Sequence, residues 1–466
     1  MKICKELKLA GILSEFPQAL FDLADSLELL VLSNHQISCL PDDFDRLQHL
    51  KVLFLNNNRF TEFPAVLAKC PQLSMASFKG NQIRQISDRA LSDTIRWLIL
   101  TDNQITHLPP SIGKLTRLQK LMLAGNQLQD LPSEMANCRN LELIRLSANR
   151  LQTLPPWLLS LPKLAWLAYA GNPLSKKLAH SKSATQPSDQ PSLEQLPVVD
   201  EAAIEFHQPL GEGASGVIYQ GLWTAPSGPV TVAVKIFKGE ITSDGLPLDE
   251  RLACIAAGVH PNLVTAIAQL APRKSDGKAG LLFSLIPADY QSLGNPPSLE
   301  TCTRDTYRPE TSFSLPVVLQ IAQGIAAAAA HLHSRGIMHG DLYAHNILIN
   351  EVGEAFWGDF GAASFYETVD AELSGELDGE WGRSLERLES RAFGCLLEDL
   401  LNHCDLGADL ASNLDSDSGA NSNLAEEVAK SCLRDLQHSC LQETPTMRPL
   451  FTNICKKLSA IASSLE

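Results

Sequence analysis

The sequence predicts an α/β solenoid followed by an α+β bilobal domain, and three observations carry that prediction. An apolar frame restarts at Leu27, Leu50, Leu73, Ile95, Leu118, Leu141 and Leu164, in steps of 23 residues with a single 22. A glycine-rich turn, Gly211-Glu-Gly213-Ala-Ser-Gly216-Val217, is followed by β-branched stretches instead of a helix. Farther on, acidic and amide residues appear in the order Asp341, Asn346, Asp359. The length of 466 residues sets a prior of about three domains at roughly 150 residues each. The expected division is 1–174 for the solenoid, 175–200 for a connection and 201–462 for the bilobal domain.

The repeat comes first, because a missed period misassigns the whole fold. Leu50-Lys-Val-Leu53-Phe-Leu55-Asn-Asn-Asn58-Arg-Phe60-Thr-Glu-Phe63-Pro64 fits L-x-x-L-x-L-x-x-N-x-L-x-x-L-P. The Asn position recurs as Asn81, Asn103, Asn126, Asn149 and Asn172, with His35 in its place in the first full repeat. Each L-x-L predicts a short strand with its leucines in a shared core. Each Asn sits at a bend, where its amide can satisfy backbone groups left unpaired. No repeat buries its apolar side alone, so stacking is obligatory. The array is identified as leucine-rich repeats, about seven of them, with residues 5–26 as an N-terminal cap.

Strand alternation sends the residues beside the leucines to the concave face. There the sequence places Phe54, Met75, Trp97, Met122 and Trp166, together with Arg145 and Lys120. Aromatic residues and Met are typical interface anchors, so a protein-docking surface is expected. Lateral packing between strands is a second reading. Docking of the chain's own C-terminal part is a third.

Charge is uneven. Residues 1–175 hold 18 basic and 15 acidic side chains, whereas 176–466 hold 20 and 38. The net charge of −15 makes nucleic-acid or anionic-membrane partners unexpected. No apolar run reaches the ~20 residues of a membrane span. The N-terminus, MKICKELKLAGILSEF, has no h-region, so no signal peptide is expected. Eleven scattered cysteines without CxxC pairs argue against zinc and for a reducing, cytoplasmic setting. Residues 175–200, rich in Ser, Gln, Pro and Lys, are expected to form a flexible connection.

A lone GxGxxG is weak, and its surroundings decide its meaning. Val217-Ile218-Tyr219 and Val230–Ile236 predict two strands joined across the glycines, a flap over phosphates. Lys235 then lies in the strand frame Val-Ala-Val-Lys. A Lys in a strand interior destabilises unless it is paired.

This segment resembles the N-lobe of the protein kinase family. The rest of the chain continues the resemblance through His260-Pro261-Asn262, His339-Gly340-Asp341-Leu342-Tyr343-Ala344-His345-Asn346, Asp359-Phe360-Gly361, Glu389–Gly394 and Arg448-Pro449-Leu450-Phe451. The resemblance implies ATP and Mg²⁺. It places Gly211, Gly213, Gly216, Val217 and Ala233 over the nucleotide, and Lys235 on its phosphates. Glu250 is the expected Lys235 partner, with Asp249 as the alternative. Asp341 would be the base toward a protein hydroxyl, and Asn346 and Asp359 the metal ligands. His339 is expected in a packing role, and Phe283 as the gatekeeper. Ser/Thr substrates are the default.

Three departures mark this chain. Gly340 replaces the Arg before the catalytic Asp, so control by loop phosphorylation is not expected. Tyr343 replaces the Lys that steadies the transferring phosphate in Ser/Thr kinases, with His345 as a partial substitute. No Ala-Pro-Glu closes residues 362–388, leaving Glu376 or Glu380 as candidate partners of Arg448. An alternative reading is therefore a pseudokinase scaffold that binds nucleotide with little turnover. H-G-D-L also resembles small-molecule phosphotransferases of the same fold. Residues 402–424 read as a polar loop.

Overall fold

The computed structural model describes residues 5–175, 196–213, 215–239, 241–367, 376–405 and 417–465. The chain divides into two compact units. One comprises residues 1–177 with Ile241–Leu246, and the other 178–240 with 247–466. The hexapeptide Ile241–Leu246, within the range expected for the bilobal domain, is part of the repeat unit.

In the repeat unit, eight parallel strands follow chain order: β1 Glu6–Lys8, β2 Leu29–Val31, β3 Val52–Phe54, β4 Met75–Ser77, β5 Trp97–Ile99, β6 Lys120–Met122, β7 Leu143–Arg145 and β8 Trp166–Ala168. Each strand pairs in register with the next, so Leu30, Leu53, Ala76, Leu98, Leu121, Ile144 and Leu167 stack as one buried row. Most strands return through short 3-10 turns such as Pro110–Lys114, and the last through one turn of helix, α1 Pro156–Leu159. The cap strand β1 continues the same ladder.

The asparagine ladder holds the bends. Asn126 Nδ2 donates to Leu100 O at 2.9 Å and Leu123 O at 3.0 Å, while its Oδ1 accepts from Ile105 N at 3.0 Å. Asn81, Asn103, Asn149 and Asn172 repeat this scheme. His35 occupies the same buried place, but neither ring nitrogen has a hydrogen-bond partner.

The expected concave-face anchors differ in exposure. Phe54 and Trp97 are half-buried, and Lys120 Nζ lies 4.3 Å from the Trp97 ring centroid. Met75, Met122 and Trp166 are buried, Trp166 to 2% exposure. Exposure on this face is thus concentrated toward its N-terminal strands, β2, β3 and β5.

The second unit opens with a six-stranded sheet in the order β10-β11-β12-β14-β13-β9. The strands are β9 Val198–Val199, β10 Ile204–Glu212, β11 Gly216–Ala225, β12 Gly228–Phe237, β13 Ala266–Leu270 and β14 Gly280–Ser284. Strand β9 pairs parallel with β13. The segment expected as linker therefore ends in sheet structure, and residues 176–195 of it lie outside the described residues. Val232, Val234 and Ile236 of β12 join Ile204, Ala268, Leu270 and Leu282 in one core. Period-two alternation leaves Ala233 and Lys235 on the opposite face.

Helices α2 Pro247–Ala257, α3 Leu315–Ser334, α4 Glu376–Asn402, α5 Asp417–Cys440 and α6 Phe451–Ser463 complete the unit. By length and composition α3 could cross a membrane, but Val318, Ile321, Ala322, Ile325 and Leu332 bury it as a core helix. Of the loop expected over 402–424, residues 406–416 lie outside the described residues, and 417–424 are instead the start of helix α5, anchored farther along by buried Ala429, Leu433, Leu436 and Cys440.

Candidate active site

The glycine turn lies between antiparallel strands, with Gly211 opposite Ile218 and Val217 opposite Ile236. A Cβ on Gly216 would stand 2.6 Å from Ile236 O, so packing against β12 requires glycine there. Gly211 and Gly213 are different: a Cβ on either would meet nothing within 4 Å. Bare backbone at an open edge is what close approach by a phosphate needs. Lys238 steadies the turn, its Nζ donating to Gly213 O at 2.9 Å and pairing with Glu212 at 2.7 Å.

Lys235 pairs with Glu250 on α2, which selects Glu250 over Asp249 as its partner. The carboxylate is almost fully buried and the ammonium largely so. Burial works to discharge Lys235. The charges of Glu250 and Asp359 outweigh it and hold the pKa above the usual lysine value. Asp359 thus converges electrostatically on the same ion pair. Phe283 is buried and registers with Ala233 across the β12–β14 pair, beside the nucleotide face.

The catalytic loop follows Ile337–Met338 and ends in a 3-10 turn, Ala344–Asn346. Asn346 Nδ2 donates to Asp341 Oδ2 at 2.7 Å and to Asp341 O at 3.1 Å. Gly358 N donates to Asn346 O at 3.0 Å, tying that loop to the residue before Asp359. Asp359 itself has φ of 58° and accepts from Gly361 N at 3.3 Å. Phe360 is buried.

His339 takes the expected packing role. It is fully buried, stacks on Trp357 at 3.9 Å, and bonds Gly358 O through Nε2 at 3.0 Å. Gly340 has φ of 73°, a conformation that favours glycine, and donates to Glu389 Oε1 at 2.7 Å.

The sequence reading missed two polar groups that hold this loop. Asp305 Oδ2 accepts from Ala344 N at 2.5 Å and His345 N at 3.3 Å, and its Oδ1 bonds His345 Nδ1 at 2.7 Å. Burial opposes the His345 imidazolium, but Asp305, Asp341 and Asp359 together hold its pKa above the usual histidine value. His333 on α3 lies 2.8 Å from Glu389 Oε2 and bonds Tyr366 Oη at 2.7 Å. His345 is thus biased toward its imidazolium form two residues after Tyr343, which is buried.

The two carboxylates expected as candidate partners of Arg448 are Glu376 and Glu380. Glu380 pairs with Arg387 at 2.7 Å, and the side chain of Glu376 lies outside the described residues. Arg448 Nε donates to Gln442 O at 2.8 Å, and burial lowers its pKa to about 9.

Residues 204–458, more than half of the chain, match the family described as protein tyrosine and serine/threonine kinase. The chain belongs to that kinase family. Residues 93–151 and 116–174 match leucine-rich repeats. A probable serine/threonine-protein kinase of Dictyostelium discoideum is 32% identical over 150 residues, covering 32% of this chain and 8% of that protein. A second from the same organism is 26% identical over 276 residues, covering 56% and 16%. A tyrosine-protein kinase of Caenorhabditis elegans is 28% identical over 218 residues, covering 44% and 16%. This kinase-family chain thus spans less than a fifth of the length of these relatives.

Kinases of this family generally use ATP with Mg²⁺. The residues present fit both. Asp359 and Asn346 offer oxygen donors without Cys or His, the hard kind that Mg²⁺ prefers. Gly211 and Gly213 leave open backbone that a phosphate could approach closely.

Proposed function

We propose that the chain transfers the γ-phosphate of Mg-ATP to a protein hydroxyl, Ser/Thr by default. The observation that carries this is the assembled Lys235–Glu250 pair, with Asp359 acting on the same lysine. Mg-ATP, when bound, supplies the electrophilic phosphorus and the charge neutralisation it needs. Lys235 would hold the phosphates, kept charged and oriented by Glu250. Asp341, its carboxylate fixed by Asn346, would accept the substrate hydroxyl's proton. Asn346 and Asp359 would hold the metal.

The half-buried N-terminal concave strands, with Phe54 and Trp97, support docking of a protein partner or substrate. Free cysteines throughout the described residues support a cytoplasmic setting. Tyr343 favours a second reading, a nucleotide-binding scaffold, because a preorganised charge at such a site is worth about 3–4 kcal/mol.

The test is incubation of the full chain with Mg-ATP, a mixture of Ser-, Thr- and Tyr-containing peptides and small hydroxyl compounds, with products read by mass spectrometry. Phosphopeptide that disappears with Asp359→Asn supports the proposal. Bound ATP with no product supports the scaffold. Phosphorylated small compounds alone contradict a protein substrate.

A further inference from the structure

The hexapeptide Ile241–Leu246 is part of the repeat unit although the chain on both sides of it belongs to the other unit. Its placement is built from charge and shape. Arg145, the last residue of β7, has a side chain only 2% exposed. A buried guanidinium needs a carboxylate, or its desolvation goes uncompensated. Asp244 supplies one: Arg145 Nε lies 2.7 Å from Asp244 Oδ1. Ser243 Oγ donates to the other oxygen, Oδ2, at 2.9 Å.

Shape adds a second, independent contact. Gly125 stands just after β6 with φ of 71°. A Cβ there would lie 2.8 Å from Ile241 Cγ2. The glycine therefore leaves the space that Ile241 fills. The hexapeptide is itself folded to present Asp244. Thr242 N donates to Gly245 O at 2.9 Å, and buried Thr242 Oγ1 accepts from Asp244 N and Gly245 N at 3.1 and 3.2 Å.

The sequence position of this segment gives the contact a consequence. It follows β12, which carries Lys235, and Leu246 directly precedes Pro247, the first residue of α2, which carries Glu250. We propose that the concave face of the repeats takes Ile241–Leu246 of its own chain as a built-in ligand, and that this capture holds α2 so that Glu250 meets Lys235. Arg145 and Asp244 are then positioning residues for the nucleotide site, a role that rests on the kinase reading above. Ordering the connection on the repeats removes backbone freedom that would otherwise oppose the start of α2.

The test uses the full chain with Arg145→Gln, Asp244→Asn and the swap Arg145→Asp with Asp244→Arg. Amide hydrogen exchange over 241–250 and Kd for Mg-ATP are read beside phosphoryl transfer. A charged hydrogen bond of this kind predicts about tenfold faster exchange and about tenfold weaker nucleotide binding in each single variant. Recovery of most of that loss is expected in the swap. Unchanged exchange and affinity in Asp244→Asn overturn the proposal, as does nucleotide binding that tightens when the pair is broken. If Arg145→Gln fails to fold, the half-buried Asp244→Asn decides alone. Exchange and nucleotide affinity also separate this proposal from the kinase reading: a native chain that transfers no phosphate still reports whether the capture holds α2.

Discussion

Asn346 and Asp341 are joined twice, once through the Asp341 carboxylate at 2.7 Å and once through its backbone oxygen at 3.1 Å. The five-residue turn between them is thereby closed by one amide. The side chain assigned to metal also sets the angle of the side chain assigned to the proton. Removing it should disturb both roles.

Asn346→Ala is expected to lower the transfer rate about 10- to 100-fold, from loss of a hydrogen bond to a charged group. It is also expected to raise the magnesium concentration needed for half-maximal rate. Steady-state rates across a magnesium series check both effects. An unchanged magnesium dependence would remove Asn346 from the metal site.

Glu250 lies 3% exposed against Lys235. Glu250→Ala leaves a largely buried ammonium without its nearest carboxylate, and breaking such a pair destabilises by about 3–5 kcal/mol. Urea unfolding of the full chain should show this loss in the kinase-unit transition and not in that of the repeats. Glu250→Gln should weaken nucleotide binding with a smaller loss of stability.

The ladder makes a prediction of the opposite sign. His35 sits buried in the asparagine position without hydrogen bonds to its ring nitrogens. His35→Asn should stabilise the repeats by about 1 kcal/mol through the bonds that the other repeats make. Asn126→Ala should cost about 1–3 kcal/mol for each buried backbone group it orphans. Denaturant midpoints of the repeat transition measure both.

Glu389 gives a pH dependence. Burial alone would raise its pKa. The His333 bond, the charges of His333 and His339 and the Gly340 N–H hold it below the ordinary 4.5. A carboxyl depressed in the folded state adds stability above its unfolded pKa, and that stability is lost as pH falls through the folded value. Thermal stability should therefore hold above pH 5 and drop below about 4.5, and Glu389→Gln should be less stable at pH 7 with a flatter acid limb. Melting curves from pH 3.5 to 7 check the slope.

The parts legible in the sequence are those that repeat or that sit close along the chain. Leu53 and Asn58 recur at a fixed period, so their neighbours in space were countable. Asp341 and Asn346 lie five apart, and Gly211, Gly213 and Gly216 lie within one turn. Asp305, His333 and Asp244 were not legible. Each acts across a long separation, on His345, Glu389 and Arg145, and a single polar residue carries no period. Residues 417–424 were misread because Ser, Asn, Asp and Gly favour loops locally. The buried apolar positions farther along α5 override that preference.

The most direct measurement is transfer of labelled γ-phosphate from Mg-ATP to an acceptor protein, comparing the native chain with Asp341→Asn at equal nucleotide occupancy. With Asp341 as the base in a phosphoryl-transfer mechanism, the native chain transfers and the variant's rate falls about 10²–10⁴-fold with nucleotide affinity kept. Equal rates in the two proteins, or none in either while nucleotide binds, would contradict that mechanism.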